Sequence, residues 1–142
     1  GTDNMAANNS YDLFTEMKVA GLAAAHREQR AGALPADQVL RMATIDGARA
    51  LGLDHQTGSL EIGKAADLVA IDLRGLGYTP APDLATLLVF SGSGRDVRHV
   101  MVAGEWIVRD GALTRSDPRQ LRDDYAQTYE RYWDRVSAAA RK

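Results

Sequence analysis

The sequence predicts an α/β chain, and three observations carry that prediction. The first is a polar opening, Gly1-Thr2-Asp3-Asn4-Met5-Ala6-Ala7-Asn8-Asn9, which places an acidic residue in front of an apolar-periodic helix. The second is a pair of β segments, 67–72 and 97–108, bounded by Gly and Asp. The third is a long amphipathic helix after Asp117-Pro118. An acidic residue just past a strand end, followed at once by a helix, is the arrangement of the catalytic rim of a parallel α/β barrel. The strand itself is nearly absent, so the chain begins where a barrel strand would be ending.

Composition bounds the possibilities. With 142 residues and 45% hydrophobic content, the chain can bury a core and is not a disordered segment. A formal net charge of −2 offers no basic balance for nucleic acid or an anionic membrane. There is no Cys, which excludes disulfides and thiolate metal sites and suits a cytoplasmic location. No apolar run approaches the roughly 18 residues of a membrane span, and no signal-peptide pattern is visible.

The elements follow in order. Leu13, Phe14, Met17, Ala20, Gly21 and Ala24 share one face of a helix expected to reach about Arg30, with Asn9 as N-cap and Asp12 in the first turn. Gly32 stops it. Pro35 starts a second helix, with Val39, Leu40, Met42 and Ala43 on its apolar side. Asp46 to Leu51 forms a short third helix, ended by Gly52. Gly58 and Gly63 bracket the run Ser59-Leu60-Glu61-Ile62, and Asp67 to Asp72 is a strand, apolar in its middle. Gly75 to Pro82 is a loop, Asp83 caps a short helix through Val89, and Ser91 to Gly94 is a flexible connection. Val97–Val102 and Glu105–Val108 make a hairpin around Ala103-Gly104, with Gly111 closing the second arm. In the last helix Leu121, Tyr125, Tyr129, Tyr132, Trp133 and Val136 line one face and charges fill the other.

Four stretches in this order identify a resemblance. They are Gly1-Thr2-Asp3 with Ala7-Asn8-Asn9 and Leu13-Phe14-Thr15-Glu16-Met17; Met42-Ala43-Thr44 with Gly47 to Leu53; Gly58-Ser59-Leu60-Glu61-Ile62-Gly63-Lys64-Ala65-Ala66-Asp67-Leu68-Val69; and Val100-Met101-Val102-Ala103-Gly104-Glu105-Trp106. Together they resemble the C-terminal portion of the amidohydrolase superfamily, nearest its triazine hydrolases and adenosine-type deaminases. The resemblance implies an α/β fold: the last strand–helix part of a (β/α)8 barrel, the C-terminal half of a small β-sandwich, and a terminal helix. The corresponding boundaries are 1–52, 53–113 and 114–142.

The same resemblance implies a metal-dependent hydrolase that cleaves C–N or C–halogen bonds, deaminating a nitrogen heterocycle with metal-activated water. The divalent metal is zinc, with iron as the alternative, bound only in the complete enzyme. Asp3 maps onto the Asp at the end of the last barrel strand, which ligates the metal and takes the proton from its water. Asn4 and Met5 would line the substrate pocket. His26, His55 and His99 form no His-x-His pair and sit at no motif position. One carboxylate cannot hold catalytic zinc, which takes about three protein ligands. The chain is therefore expected to be inactive alone and to need the N-terminal barrel portion, or a second chain, as its partner. The expected assembly is a homo-oligomer acting on a small heterocyclic substrate.

Simpler readings compete with each assignment. Outside the motif Asp3 is an exposed N-terminal acid, and Thr2 has a structural role beside it. Asn8 and Asn9 hold the loop and cap the helix rather than touch substrate. Lys64 belongs to a solvated turn, since no phosphate-loop pattern surrounds it. The aromatic stripe of the last helix packs on the barrel or on a subunit neighbour, because no basic groove accompanies it. A non-catalytic α+β interaction or regulatory module reusing the fold is the alternative to an enzyme segment.

Overall fold

The computed structural model describes residues 1–4, 8–80 and 82–140. Its helices are α1 (Leu13–Arg27), α2 (Ala36–Ala43), α3 (Ile45–Ala50), α4 (Leu84–Ser91) and α5 (Pro118–Ala139), and its strands are β1 (Leu68–Ile71), β2 (Val97–Val102), β3 (Glu105–Arg109) and β4 (Ala112–Leu113). Single 3-10 turns at Leu76–Tyr78 and Gly94–Asp96 flank α4.

Helix α1 starts at Leu13, the first residue of its apolar periodicity, and not directly after Asn9. Asp12, not Asn9, is the N-cap, and its Oδ1 accepts the Phe14 N–H at 2.9 Å. Residues 8–12 are spent on two side-chain turns. Ser10 N–H donates to Asn8 Oδ1 at 3.0 Å, and Asp12 N–H donates to Ser10 Oγ at 3.1 Å. Such turns compete with the helix for the same backbone donors. α1 also ends at Arg27, short of Arg30, because Gln29 turns left-handed at φ +49 and Gly32 follows at φ +69. Pro35 stands as the N-cap of α2, one position before the helix, and α4 runs two residues past Val89 to Ser91.

Helices α1, α2 and α4 meet around Met17, Ala36, Val39 and Val89, with Phe14, Leu34, Leu40, Ala43, Ala85 and Phe90 packed about them. Val39 and Val89 are fully buried, and such burial contributes roughly 1.5–3 kcal/mol per side chain. Gly21 lets α1 approach α4: a Cβ there would stand 3.0 Å from the Phe90 ring.

The sheet has the order β1-β2-β3-β4, with every neighbour antiparallel. Val102 pairs with Glu105 across the two-residue loop Ala103-Gly104, whose φ values of +50 and +83 are those of a type I′ turn. Asp110 and Gly111 (φ +51 and +78) make a second turn, so Gly111 follows the end of the second arm as expected and leads on into β4. β1 is latched to the hairpin at its start. Asp67 Oδ1 accepts the Ala103 N–H and Oδ2 accepts the Thr57 hydroxyl, each at 2.7 Å. These bonds, the Ala103 amide foremost, hold the Asp67 carboxyl below its usual range. Residues 1–4 belong to no strand of this sheet.

Between α3 and β1 the run Ser59–Ile62 is not a strand, and Leu60 and Ile62 project into solvent at 78% and 107% exposure. Lys64 is not the solvated side chain its turn suggests. Only 12% of it is exposed, with Nζ donating to Ser59 Oγ at 2.6 Å and paired with Glu61 at 3.1 Å. The connection after α4 is likewise more ordered than its Ser-Gly composition implies, since Ser93 and Asp96 form a capping box. α5 starts at its Asp117 cap and Pro118 but buries no residue, and its stripe of four aromatics, Leu121 and Val136 stays in solvent.

The described fold is open. Its 10670 Å² of accessible surface compares with about 7,200 Å² for a compact monomer of this mass, by the usual surface scaling.

Candidate functional site

The site residues lie where the chain enters α1. Asp3 is exposed and its backbone is left-handed, at φ +58. Asp tolerates that region better than most residues because its short polar side chain can bond locally, and here Asp3 Oδ1 accepts the Asn4 N–H at 2.7 Å. The Thr2 hydroxyl turns to the Asp3 carbonyl at 3.4 Å and not to its carboxylate. Asn4 is also exposed, and Met5 lies outside the described residues.

Three contacts order this region: one within the segment, one from the segment to α1, and one from the cap of α1 to the connection after α4. Asn8 N–H donates to the Asn4 carbonyl at 2.9 Å. Asn8 Nδ2 donates to Glu16 Oε1 at 2.6 Å, a charge-assisted bond between half-buried side chains. Asp12 Oδ2 accepts the Gly94 N–H at 3.4 Å and so ties the cap of α1 to the connection that leaves α4. Asn8 thus holds the loop, as expected, while Asn9 caps nothing. The partnership of Asn8 with Glu16 is invisible in the sequence, because the residues are eight apart and joined through an irregular loop.

Among the described residues no three His, Cys, Asp or Glu side chains stand close enough to hold a metal ion. His55 Nε2 pairs with the Gln56 amide at 2.9 Å. His99 stacks at a tilt against Trp106, 5.6 Å between centroids, and its Nδ1 accepts the Asp110 N–H at 3.2 Å. His26 lies in the last turn of α1, where a basic group suits the helix dipole. The donor chemistry of the segment, a hard carboxylate oxygen on an exposed side chain, fits one ligand of a divalent ion and no more.

Comparison with known proteins sets this geometry in a family. The amidohydrolase family profile matches residues 1–107. An S-triazine hydrolase from Gordonia rubripertincta is 42% identical over 133 residues, 89% of this chain and 28% of that protein. A 5'-deoxyadenosine deaminase from Methanosarcina barkeri is 40% identical over 138 residues, 97% of this chain and 32% of that protein. The solved structure of an adenosine deaminase from Xanthomonas campestris, with bound zinc, matches 92% of this chain and 30% of its own at a TM-score of 0.89 and 37% identity. The chain belongs to the amidohydrolase family. It spans about a third of the length of these relatives. No described helix is long and apolar enough to cross a membrane.

Proposed function

We propose that this chain contributes the end of the catalytic barrel to a metal-dependent hydrolase that cleaves a C–N bond, most simply by deaminating a nitrogen heterocycle of the adenosine or triazine kind. Residues 1–52 supply the last strand tip and helix of the barrel, 53–113 one part of a β-sandwich, and 114–142 an appended helix. The observation that carries this reading is Asp3: an exposed carboxylate on a left-handed backbone, in front of a helix to which its loop is bonded.

Asp3 serves as one metal ligand, the remainder coming from outside residues 1–142. Zinc is the metal we favour over iron, since the deaminase relative was solved with zinc. When bound, such an ion supplies Lewis acidity that brings the pKa of water down towards neutrality. The chain's own contribution is the proton transfer. The Asp3 carboxylate accepts the proton of the attacking water and returns it to the leaving nitrogen, with the Asn4 amide fixing one of its oxygens. Asn4 is the substrate-lining residue of this reading, and Met5, given the same role from the resemblance, lies outside the described residues. The described chain alone is inactive, and the working unit is a cytoplasmic homo-oligomer of the complete protein.

The test is Asp3→Ala in the complete protein, assayed on adenosine-type and triazine substrates. Turnover should fall by about 100-fold or more while the unfolding midpoint stays in place. Near-normal turnover would remove Asp3 from the chemistry and return the chain to an interaction module.

A further inference from the structure

Asp3 is exposed in the described fold. A carboxylate that must meet a metal and a water within fractions of an ångström needs a support, and ligating carboxylates are ordinarily held by hydrogen-bonded neighbours. The described residues include a continuous hydrogen-bonded route from Asp3 to α1. Asp3 Oδ1 accepts the Asn4 N–H, the Asn4 carbonyl accepts the Asn8 N–H, and the Asn8 side-chain amide donates to Glu16 in the first turn of α1.

Asn8 is the hub of this route, because three of its polar groups reach partners in three directions. The backbone N–H reaches back to residue 4, Oδ1 takes the Ser10 N–H, and Nδ2 reaches Glu16 Oε1 at 2.6 Å. Glu16 is the only one of these partners on a regular helix. Its helix is anchored through Met17 in the buried cluster, one residue further on. An ionised carboxylate accepts and cannot donate, so Glu16 also selects the amide nitrogen of Asn8 over its oxygen and leaves Oδ1 for Ser10.

We propose that Glu16 is a positioning residue for the Asp3 carboxylate, acting through Asn8. This rests on the reading of Asp3 as the reacting carboxylate. Glu16 touches neither substrate nor metal. It fixes Asn8, whose backbone N–H holds the Asn4 carbonyl, relative to α1.

The experiment uses the complete protein. Glu16→Ala and Asn8→Ala should each lower kcat by about 10- to 100-fold, with KM and the unfolding midpoint nearly unchanged. The double variant should be no worse than either single one, since both cut the same link. Asn8→Asp sets two carboxylates against each other and should be worse than Asn8→Ala. Adding Glu16→Gln to Asn8→Asp exchanges donor and acceptor and should restore most of kcat. A readout apart from turnover is zinc content after dialysis against a chelator, which should fall faster in Glu16→Ala than in the parent protein. Turnover within about twofold of normal in Glu16→Ala and Asn8→Ala, beside an inactive Asp3→Ala, overturns the positioning role and leaves Asp3 intact. Turnover retained in Asp3→Ala overturns the reading of Asp3, and the positioning role with it. A kcat loss that the exchanged pair does not recover, or that tracks a loss of folded protein, also overturns the role of Glu16.

Discussion

Asp12 and Gly94, 82 residues apart in the chain, meet where the Gly94 N–H donates to Asp12 Oδ2 at 3.4 Å. The other oxygen of the same carboxylate caps α1 through Phe14. One side chain therefore sets both the start of the helix behind the candidate site and its distance from the end of α4. Asp12→Ala should destabilise the complete protein by about 1–2 kcal/mol, the cost of a lost N-cap, and Asp12→Asn by less, because it keeps an acceptor. Denaturant titration of the two variants reads the difference.

Gly58 and Gly63 are both left-handed, at φ +90 and +96, but only Gly58 is enclosed. A Cβ at Gly58 would stand 2.7 Å from Ala48 Cβ and 3.0 Å from Ile45 Cα, whereas at Gly63 it would meet nothing. Gly63→Ala should cost about 1–2 kcal/mol for backbone strain alone. Gly58→Ala should cost a further 1–3 kcal/mol or so for overpacking against α3. Equal losses in thermal melts of the two variants would show that α3 gives way without resistance.

Several carboxyls lie below their ordinary values: Asp67 through the Ala103 amide, Asp72 through Arg74, and Asp83 through Thr86. A carboxyl depressed in the folded state stabilises above its unfolded pKa, near 3.8, and that stability is lost as pH falls through the folded value. The melting temperature should thus hold from neutrality to about pH 5 and decline below pH 4. The gap between parent protein and Asp67→Asn should close over the same acidic range. Added salt should weaken the exposed Asp72–Arg74 share and spare the hydrogen-bonded Asp67 share.

Ala103 occupies the first position of a type I′ turn at φ +50, where a Cβ is unfavourable. Ala103→Asn should raise stability by about 0.5–1 kcal/mol, since Asn tolerates that conformation and the backbone N–H bound by Asp67 is retained. A fall in melting temperature would mean that the Ala103 methyl has a packing role the described residues do not reveal.

The regular elements were legible because their signals are local. Met17 and Gly21 in α1, and Val39 and Ala43 in α2, stand at helical spacing, Asp83 and Asp117 are N-caps standing directly before their helices, and Ala103-Gly104 separates two β-branched runs. The misreadings fall where side chains outcompete the backbone. Asn9 was the apparent cap because Ser10 and Asp12 read as ordinary first-turn residues, yet both are held in side-chain turns. Lys64 read as solvated because its partners Ser59 and Glu61 are brought round by a turn that composition does not show. The same limit hid Glu16. Its helical position was plain, but its contact depends on how an irregular loop folds back.

The latch between Asp67 and Ala103 also sets an order of assembly. The β2–β3 hairpin closes over two residues, and hairpins of this kind form in roughly 1–10 μs. β1 must then find β2 from far along the chain, closing a loop of 36 residues before the Asp67 carboxylate meets its amide. The hairpin is accordingly expected to form first and to serve as the template for its outer strand. Ala103→Asn should speed refolding, whereas Asp67→Ala should act mainly on the rate at which the sheet comes apart.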